Sequence, residues 1–245
     1  MPQPRYLRNA PITEAIIDFR VKASSDINSN KFAALKPRLA AQFPSMEEQR
    51  QLSATIELDR NQGEISTRQR HGIQGYRFKT TDGRTIAQFR VDGFTFNRLP
   101  PYTRWEELFP QAMELWRVYC DTARPVTVTR LALRYINRIN LTSKADFDSY
   151  LRAGPVVPPE VPQTLTGFLT RVTITNSQSN VLAHVAQALE AGTQRPGIIL
   201  DIDAFKGGQF ASNDPIIETI FGQLREFKNL IFFNYLTEET LRGFE

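Results

Sequence analysis

The sequence is poor in the residue types on which much enzyme chemistry depends. It has a single cysteine, Cys120, and only two histidines, His71 and His184. One cysteine excludes an internal disulfide and a metal site built from several cysteines, and it favours a reducing compartment. The chain also lacks the motifs G-x-S-x-G, H-E-x-x-H, G-x-x-x-x-G-K-[ST] and G-x-G-x-x-G. Hydrolase or transferase chemistry with a conventional triad is therefore poorly supported.

Long hydrophobic runs are missing as well. No apolar segment of the sequence has the length of a membrane span, and the first residues, M-P-Q-P-R-Y-L-R-N-A-P, contain no apolar signal-peptide region. We therefore expect a cytoplasmic protein with no membrane partner.

The composition is typical of a folded protein with a modest positive charge. Of its 245 residues, 41% are hydrophobic and 11% are aromatic, which is enough to build a core. The formal net charge is +4, and arginine (23) supplies far more of the positive charge than lysine (7). A charge of this sign fits an anionic partner, but its size is also ordinary for a soluble protein.

The predicted elements divide the chain into two halves that join near Arg124. Residues 1–123 are predicted to form a strand, a helix, an antiparallel meander and a helix, and residues 124–245 antiparallel strands and two C-terminal helices. We predict an α+β fold of two mainly antiparallel sheets, each covered by a long amphipathic helix, in one integrated globular unit. The repeated order of strands and helix is compatible with a pseudo-duplication, although the halves share no residue-level similarity.

Two Asp-Gly dipeptides, at residues 82–83 and 92–93, predict hairpin turns and hence a three-stranded meander. Counting from the second turn pairs Phe89 with Phe96. The alternation places the apolar side chains of the meander on one face. The opposite face carries three basic residues, Arg77, Lys79 and Arg90, which form a candidate binding surface. A sheet face that is only solvated is, however, the commoner outcome.

The most regular pattern lies at residues 126–141, V-T-V-T-R-L-A-L-R-Y-I-N-R-I-N-L. A strand here places leucine, tyrosine and isoleucine side chains on one face. The other face presents three arginines spaced about 13 Å apart, so each can bind its own carboxylate or phosphate. We call these three residues the arginine ladder: Arg130, Arg134 and Arg138.

Four carboxylates on other predicted strands are candidate ion-pair partners for the arginine ladder. Glu14 and Asp18 share one face of a strand at residues 12–21, and Asp201 and Asp203 share one face of another strand. Pairing of these carboxylates with the arginine ladder would make a structural salt-bridge network, and we favour this interpretation of the ladder. Asp201 and Asp203 also offer hard oxygen ligands, but no third ligand accompanies them at motif spacing. We therefore predict no metal and no cofactor.

Short motifs spread from Tyr6 to the C-terminus point to a family. They are N-A-P-I-T-E-A at 9–15, G-Y-R-F at 75–78, Q-F-R at 88–90, Arg98-Leu99, Pro101-Tyr102, Trp105, L-R-Y-I-N-R-I at 133–139, L-D-I-D at 200–203 and Lys228-Asn229. The chain resembles a sporadically distributed bacterial family of uncharacterised proteins. The resemblance implies no known activity or catalytic residues. Its patchy distribution implies accessory genes passed between bacteria, as genes of defence, immunity or toxin neutralisation often are.

Three functions are open at this point. We expect first a non-enzymatic module that binds a protein partner, as an accessory or defence component. The second hypothesis is nucleic-acid binding through the arginine ladder or through Arg77, Lys79 and Arg90. The third is a metal-dependent enzyme that uses Asp201 and Asp203 with Glu14 or Asp18. The sequence favours no catalytic residue and leaves the oligomeric state open.

Overall fold

The computed structural model describes residues 5–58, 65–102, 104–141, 147–163, 165–190 and 196–245, and for residues 51–58 and 65–71 the backbone alone. The strands in these ranges are β1 (Ile12–Lys22), β2 (Ser45–Leu58), β3 (Ile65–Lys79), β4 (Thr85–Arg90), β5 (Gly93–Arg98), β6 (Thr127–Asn140), β7 (Leu169–Asn176), β8 (Val181–Glu190) and β9 (Gly197–Phe210). The helices are α1 (Asn30–Ala33), α2 (Lys36–Leu39), α3 (Trp105–Ala123), α4 (Ile216–Tyr235) and α5 (Glu238–Arg242).

All of these strands belong to one antiparallel sheet of nine strands, in the order β2-β3-β4-β5-β1-β6-β9-β8-β7. β1 lies inside the sheet because it pairs with β5 along one edge and with β6 along the other. The prediction of two sheets, each covered by its own helix, is therefore wrong. Periodicity identified the strands, but the pairing of β1 with β6 joins the strands of both halves into one sheet.

Each half of the chain begins with a central strand, β1 or β6, and then fills its side of the sheet from the edge towards the centre. After β1 it crosses to the edge strand β2 and returns strand by strand to β5; after β6 it crosses to the opposite edge at β7 and returns to β9. A long helix follows each return, α3 of 19 residues and α4 of 20 residues. Among the described residues, neither these nor the shorter helices have both the length and the apolar character of a membrane span.

Both long helices pack on the same face of the sheet, which we call the core face. Phe19 of β1 stacks on Trp116 of α3 with ring centres 4.1 Å apart, and its ring also lies 5.1 Å from that of Phe221 of α4. All three rings are buried, with at most 1% of their residue surface exposed. The opposite, polar face of the sheet carries the arginines and carboxylates discussed below.

The meander has the predicted faces but not the predicted second turn. Tyr76 pairs with Phe89 as the first Asp-Gly turn requires, whereas Phe89 pairs with Phe94 and not with Phe96. β5 begins at Gly93, and a Cβ atom there would lie 2.2 Å from the main-chain oxygen of Phe19. Gly93 is therefore required for the close approach of β5 to β1, and the turn falls on the two residues before it.

Candidate functional site

The arginine ladder lies on the polar face, where each of its members contacts a carboxylate. Arg134 donates two hydrogen bonds to Asp201, at 2.8 and 2.6 Å, in a bidentate pair. Arg130 donates to Asp203 at 2.7 Å, and Arg138 donates to Glu190 of β8 at 2.5 Å. Antiparallel pairing of β6 with β9 places Arg134 opposite Asp203 and so aligns the two charged rows. The guanidinium groups of the ladder are thus engaged within the protein.

Asp18 and Arg90 form the most buried ionic contact of the polar face. Arg90 donates to Asp18 at 3.3 Å and to Thr95 at 2.7 Å, and the Thr95 hydroxyl donates to Asp18 at 2.6 Å. Arg20 and Arg130 also lie within salt-bridge distance of Asp18, at 3.1 and 3.6 Å. Only 4% of Arg90 and 7% of Asp18 is exposed. Arg90 therefore does not lie on an exposed basic surface.

The remaining predicted site residues are not brought together. Glu14 accepts a hydrogen bond from Asn97 at 2.5 Å and forms no salt bridge among the described residues, although its charge is one of the smaller causes that raise the pKa of Arg134. Lys79 forms an ion pair with Glu47 of β2 at 2.7 Å, and Arg77 is exposed. Within the described ranges, no three His, Cys, Asp or Glu side chains are grouped as metal ligands would be.

A cavity of about 940 Å³ opens at one end of the core face, between the N-terminal segment, the turn before α3, strand β6 and helix α4. We call it the basic pocket because five basic side chains and one carboxylate line it. Residues 100 and 101 at its edge are joined by a cis peptide bond. Its lining comprises Arg5, Tyr6, Leu7, Arg8, Asn9, Ala10, Ile12, Pro100, Pro101, Tyr102, Arg104, Trp105, Glu106, Tyr135, Asn137, Arg225, Lys228, Asn229, Phe232 and Phe233.

Lys228 is the most unusual side chain of the basic pocket. It lies in the interior of α4, with 9% of its surface exposed. Its Nζ lies 3.9 Å from the centre of the Tyr135 ring, and no described carboxylate lies within salt-bridge distance of it. Burial, with a smaller contribution from the neighbouring Arg225 charge, lowers the pKa of Lys228 from 10.5 to about 7. Lys228 is therefore a buried amine that finds no counter-ion among the described residues.

Two tyrosine hydroxyl groups meet beside this amine. Tyr135 of β6 and Tyr102 of the turn before α3 share a hydrogen bond of 2.7 Å, and their rings pack edge to face at 5.4 Å. Burial raises the pKa of both hydroxyl groups, so both stay protonated near neutral pH. The pair can therefore donate one hydrogen bond to a further acceptor while keeping the bond between them.

Arg225 connects the two helices at the entrance of the basic pocket. It donates to Glu106 of α3 at 3.0 Å, and its guanidinium lies 5.4 Å from the centre of the Trp105 ring. Glu106 occupies only the Nη2 group, so other donors of the same guanidinium are available to a ligand. Arg225 precedes Lys228 by three residues and therefore lies on the same side of α4.

The N-terminal segment forms one wall of the basic pocket and is held by the C-terminal end of the fold. Arg5 forms ion pairs with Glu238 at 2.9 Å and with Glu245 at 2.8 Å. The main-chain N–H of Asn9 donates to the carbonyl oxygen of Phe244 at 2.9 Å. These contacts hold the N-terminal segment against α5 and the C-terminal residues, and so keep it in place as a wall of the pocket.

The pocket was not among the predicted sites. Its polar residues lie on separate elements, and no spacing along the chain indicates that Tyr102, Tyr135 and Lys228 meet. The one available signal is that several motifs of the predicted family resemblance contribute to its lining, among them Pro101-Tyr102 and Lys228-Asn229.

Comparison of the chain with protein-family models and with curated proteins gave no match. The resemblance to a sporadically distributed bacterial family stays a prediction for this reason. The geometry of the basic pocket is therefore the main guide to function.

Proposed function

We propose that this protein binds a small organic anion in the basic pocket, through Lys228. The observation that carries the proposal is the buried Lys228 amine, which faces a cavity and has no carboxylate partner among the described residues. Burying a lysine without a counter-ion is costly, and an anionic ligand offsets that cost by supplying the missing charge.

The electrostatics of the pocket favour an anion over a cation. Lys228, Arg225, Arg104, Arg8 and Arg5 line it, against the single carboxylate of Glu106. Arg5 is committed to the C-terminal end of the fold and Arg225 shares one donor group with Glu106. Positive charge in a concave, partly apolar site raises the local concentration of anions.

The shape and walls of the pocket favour a ligand that also has an apolar or aromatic part. The cavity of about 940 Å³ lies within the range usual for small-molecule sites. Rings from four parts of the chain line it: Tyr6 in the N-terminal segment, Tyr102 and Trp105 near the start of α3, Tyr135 on β6, and Phe232 with Phe233 on α4. Small-molecule sites usually combine such walls with a few polar groups that orient the ligand.

This proposal keeps the predicted non-enzymatic binding role and assigns the ligand to a different class. The arginine ladder, on which the nucleic-acid hypothesis relies, already pairs with Asp201, Asp203 and Glu190. An ion-paired guanidinium binds a phosphate only after giving up part of its existing contacts. Lys228 is a better candidate than the arginine ladder, because among the described residues it has no carboxylate contact to give up. A protein partner and a nucleic-acid partner remain predictions from the sequence.

The test is a calorimetric titration with matched anionic and neutral ligands. We would titrate 3-phenyllactate, phenylphosphate and the neutral 3-phenylpropan-1-ol into the wild type, into Lys228→Met and into Lys31→Met. Lys31 is an exposed lysine of α1 and controls for the loss of one positive charge. We expect the wild type and Lys31→Met to bind at least one of the anions alike, and Lys228→Met to bind it roughly tenfold or more weakly.

Two results would contradict the proposal. One is that neither anion binds the wild type at millimolar concentration. The other is that anion binding does not depend on the two charges, so that Lys228→Met binds as tightly as the wild type and the neutral alcohol as tightly as the anions. Thermal unfolding of each variant beforehand shows whether a loss of binding reflects a loss of the fold.

A further inference from the structure

We infer that Lys228 is a nucleophile that forms an imine with the carbonyl group of a 2-oxo acid bound in the basic pocket. The inference rests on the proposed function and extends it: it names the ligand class, places the carboxylate of this ligand on Arg225 so that Lys228 can react as the neutral amine, and adds a covalent step. Three features of the pocket support it: the environment of the amine, the position of Arg225 and the pair of tyrosine hydroxyl groups.

The first feature is the environment of the amine. A lysine nitrogen attacks a carbonyl carbon only in its neutral form, and desolvation beside another cation favours that form. Lys228 meets both conditions, since it is nine-tenths buried and lies one helical turn from Arg225. No described carboxylate lies close enough to hold it as an ammonium ion. The lowered pKa of about 7 agrees with this environment.

The second feature is a site for the carboxylate of the ligand. A 2-oxo acid carries its carboxylate on the atom next to the carbonyl carbon, so the two recognition groups must lie close together. Side chains three residues apart on a helix have Cβ atoms about 5–6 Å apart. Arg225 and Lys228 have this spacing on α4, and Glu106 leaves donors of Arg225 unused. A carboxylate on Arg225 therefore brings the adjacent carbonyl carbon towards the amine.

The third feature is a proton donor beside the amine. Nζ of Lys228 lies over the ring of Tyr135, whose hydroxyl group is bonded to that of Tyr102. Both hydroxyl groups stay protonated, so they can polarise the carbonyl oxygen of the ligand and donate a proton to it. The oxygen of a carbinolamine leaves more easily once it is protonated.

The reaction is a balanced condensation. The lone pair of the neutral amine forms a C–N bond with the carbonyl carbon, and the carbonyl oxygen takes up a proton to give a carbinolamine. The nitrogen lone pair then forms the C=N bond as the C–O bond breaks. In net terms, the carbonyl oxygen leaves as water with the two hydrogens of the amine. No oxidant, reductant or metal is required.

Hydride trapping tests the inference. Wild-type protein would be incubated with phenylpyruvate and sodium cyanoborohydride, which reduces an imine to a stable secondary amine. Intact-mass measurement and peptide mapping would then locate the adduct. We expect a single adduct on Lys228 in the wild type and in Lys31→Met. Lys228→Arg keeps a positive charge but has no lysine amine, and we expect no pocket adduct in it. Excess 3-phenyllactate, which has a hydroxyl in place of the carbonyl, should suppress the adduct.

The outcomes separate this inference from the proposed function. If 3-phenyllactate binds through Lys228 but phenylpyruvate gives no adduct there, imine formation is contradicted and anion binding stands. If neither acid nor phenylphosphate binds the wild type, both are contradicted. Labelling spread equally over exposed lysines, or unaffected by 3-phenyllactate, would also overturn the assignment of Lys228 as the nucleophile.

Discussion

The amine of Lys228 lies 3.9 Å from the centre of the Tyr135 ring, in a pocket where no described carboxylate neutralises it. A cation over an aromatic face gains electrostatic energy from the ring, but this gain is smaller than that from a paired carboxylate. The contact explains how the fold accommodates the lysine without saturating its hydrogen-bonding capacity. Lys228 is therefore available to a ligand.

Replacing Lys228 by methionine should stabilise the protein most at low pH. Burial lowers the pKa of Lys228 from 10.5 to about 7, so between these values the unfolded chain binds more protons than the folded chain. The stability of the wild type should therefore rise with pH across this window. We expect Lys228→Met to exceed the wild type by on the order of a few kcal/mol at pH 6 and by much less near pH 10. Urea unfolding at several pH values measures the difference.

Other groups around Lys228 should not reproduce this dependence. The arginines of the pocket stay charged across the range. The backbone N–H of Glu106 holds the pKa of its own carboxyl below the usual value, and burial raises those of Tyr102 and Tyr135. A stability difference between Lys228→Met and the wild type that does not change from pH 6 to pH 10 would contradict the prediction.

Replacing Arg225 by glutamine should raise the pKa of Lys228 without restoring its ordinary value. The Arg225 charge is the smaller cause of the lowered pKa, and burial, the larger cause, remains in the variant. The sequence has only seven lysines, so ¹³C-labelled lysine side chains can be followed individually by NMR during a pH titration. An unchanged or lower pKa in Arg225→Gln would show that the arginine charge does not act on the amine.

Replacing Asp18 by asparagine should cost about 3 kcal/mol of stability, because it leaves the buried Arg90 guanidinium with less compensating charge. The side chains of Asp18 and Arg90 are 11% and 5% exposed, so solvent cannot replace the lost charge. Asp92, at 3.1 Å from Arg90, remains as a partner but is 44% exposed. Asp121→Asn, at an exposed position of α3, is the matched control and should change stability by less than about 0.5 kcal/mol. If chemical denaturation gave equally small losses of stability for Asp18→Asn and Asp121→Asn, the contact between Asp18 and Arg90 would be dispensable.

Replacing Phe19 by alanine should cost about 3–5 kcal/mol, because its ring fills the space between the sheet and both long helices. The ring stacks on Trp116 and contacts Phe221, and it is fully buried. Leu169→Ala, at a residue of β7 that is 76% exposed, should have little effect. A Phe19→Ala protein as stable as the Leu169→Ala protein would contradict the packing described for β1.

Local patterns in the sequence were enough to predict individual elements of the fold. Alternation over residues 126–141 corresponds to β6. A threonine before a helix is a common N-cap, and the side chain of Thr237 before α5 accepts a hydrogen bond from the N–H of Thr240. The number of sheets was not predictable in this way. Strand pairing depends on partners distant in sequence, and alternation shows which side chains share a face but not which strand lies alongside.

The candidate site was even less accessible to sequence reasoning. The arginine ladder was visible because one strand carries it, and its alignment with Asp201 and Asp203 follows from a single pairing. Lys228 reads in sequence as an ordinary lysine within an amphipathic helix. Its burial and its position over Tyr135 depend on how α4 crosses β6, which no local pattern specifies.

The most direct test of the central claim is whether anion binding is coupled to protonation of Lys228. Calorimetric titration of the wild type with 3-phenyllactate at pH 7.5, in two buffers of different ionisation enthalpy, measures the protons taken up on binding. If the anion binds the protonated amine, the wild type should take up a substantial fraction of a proton and Lys228→Met should take up almost none. Binding without proton uptake, or with the same uptake in both proteins, would contradict the assignment of Lys228 as the residue that binds the anion.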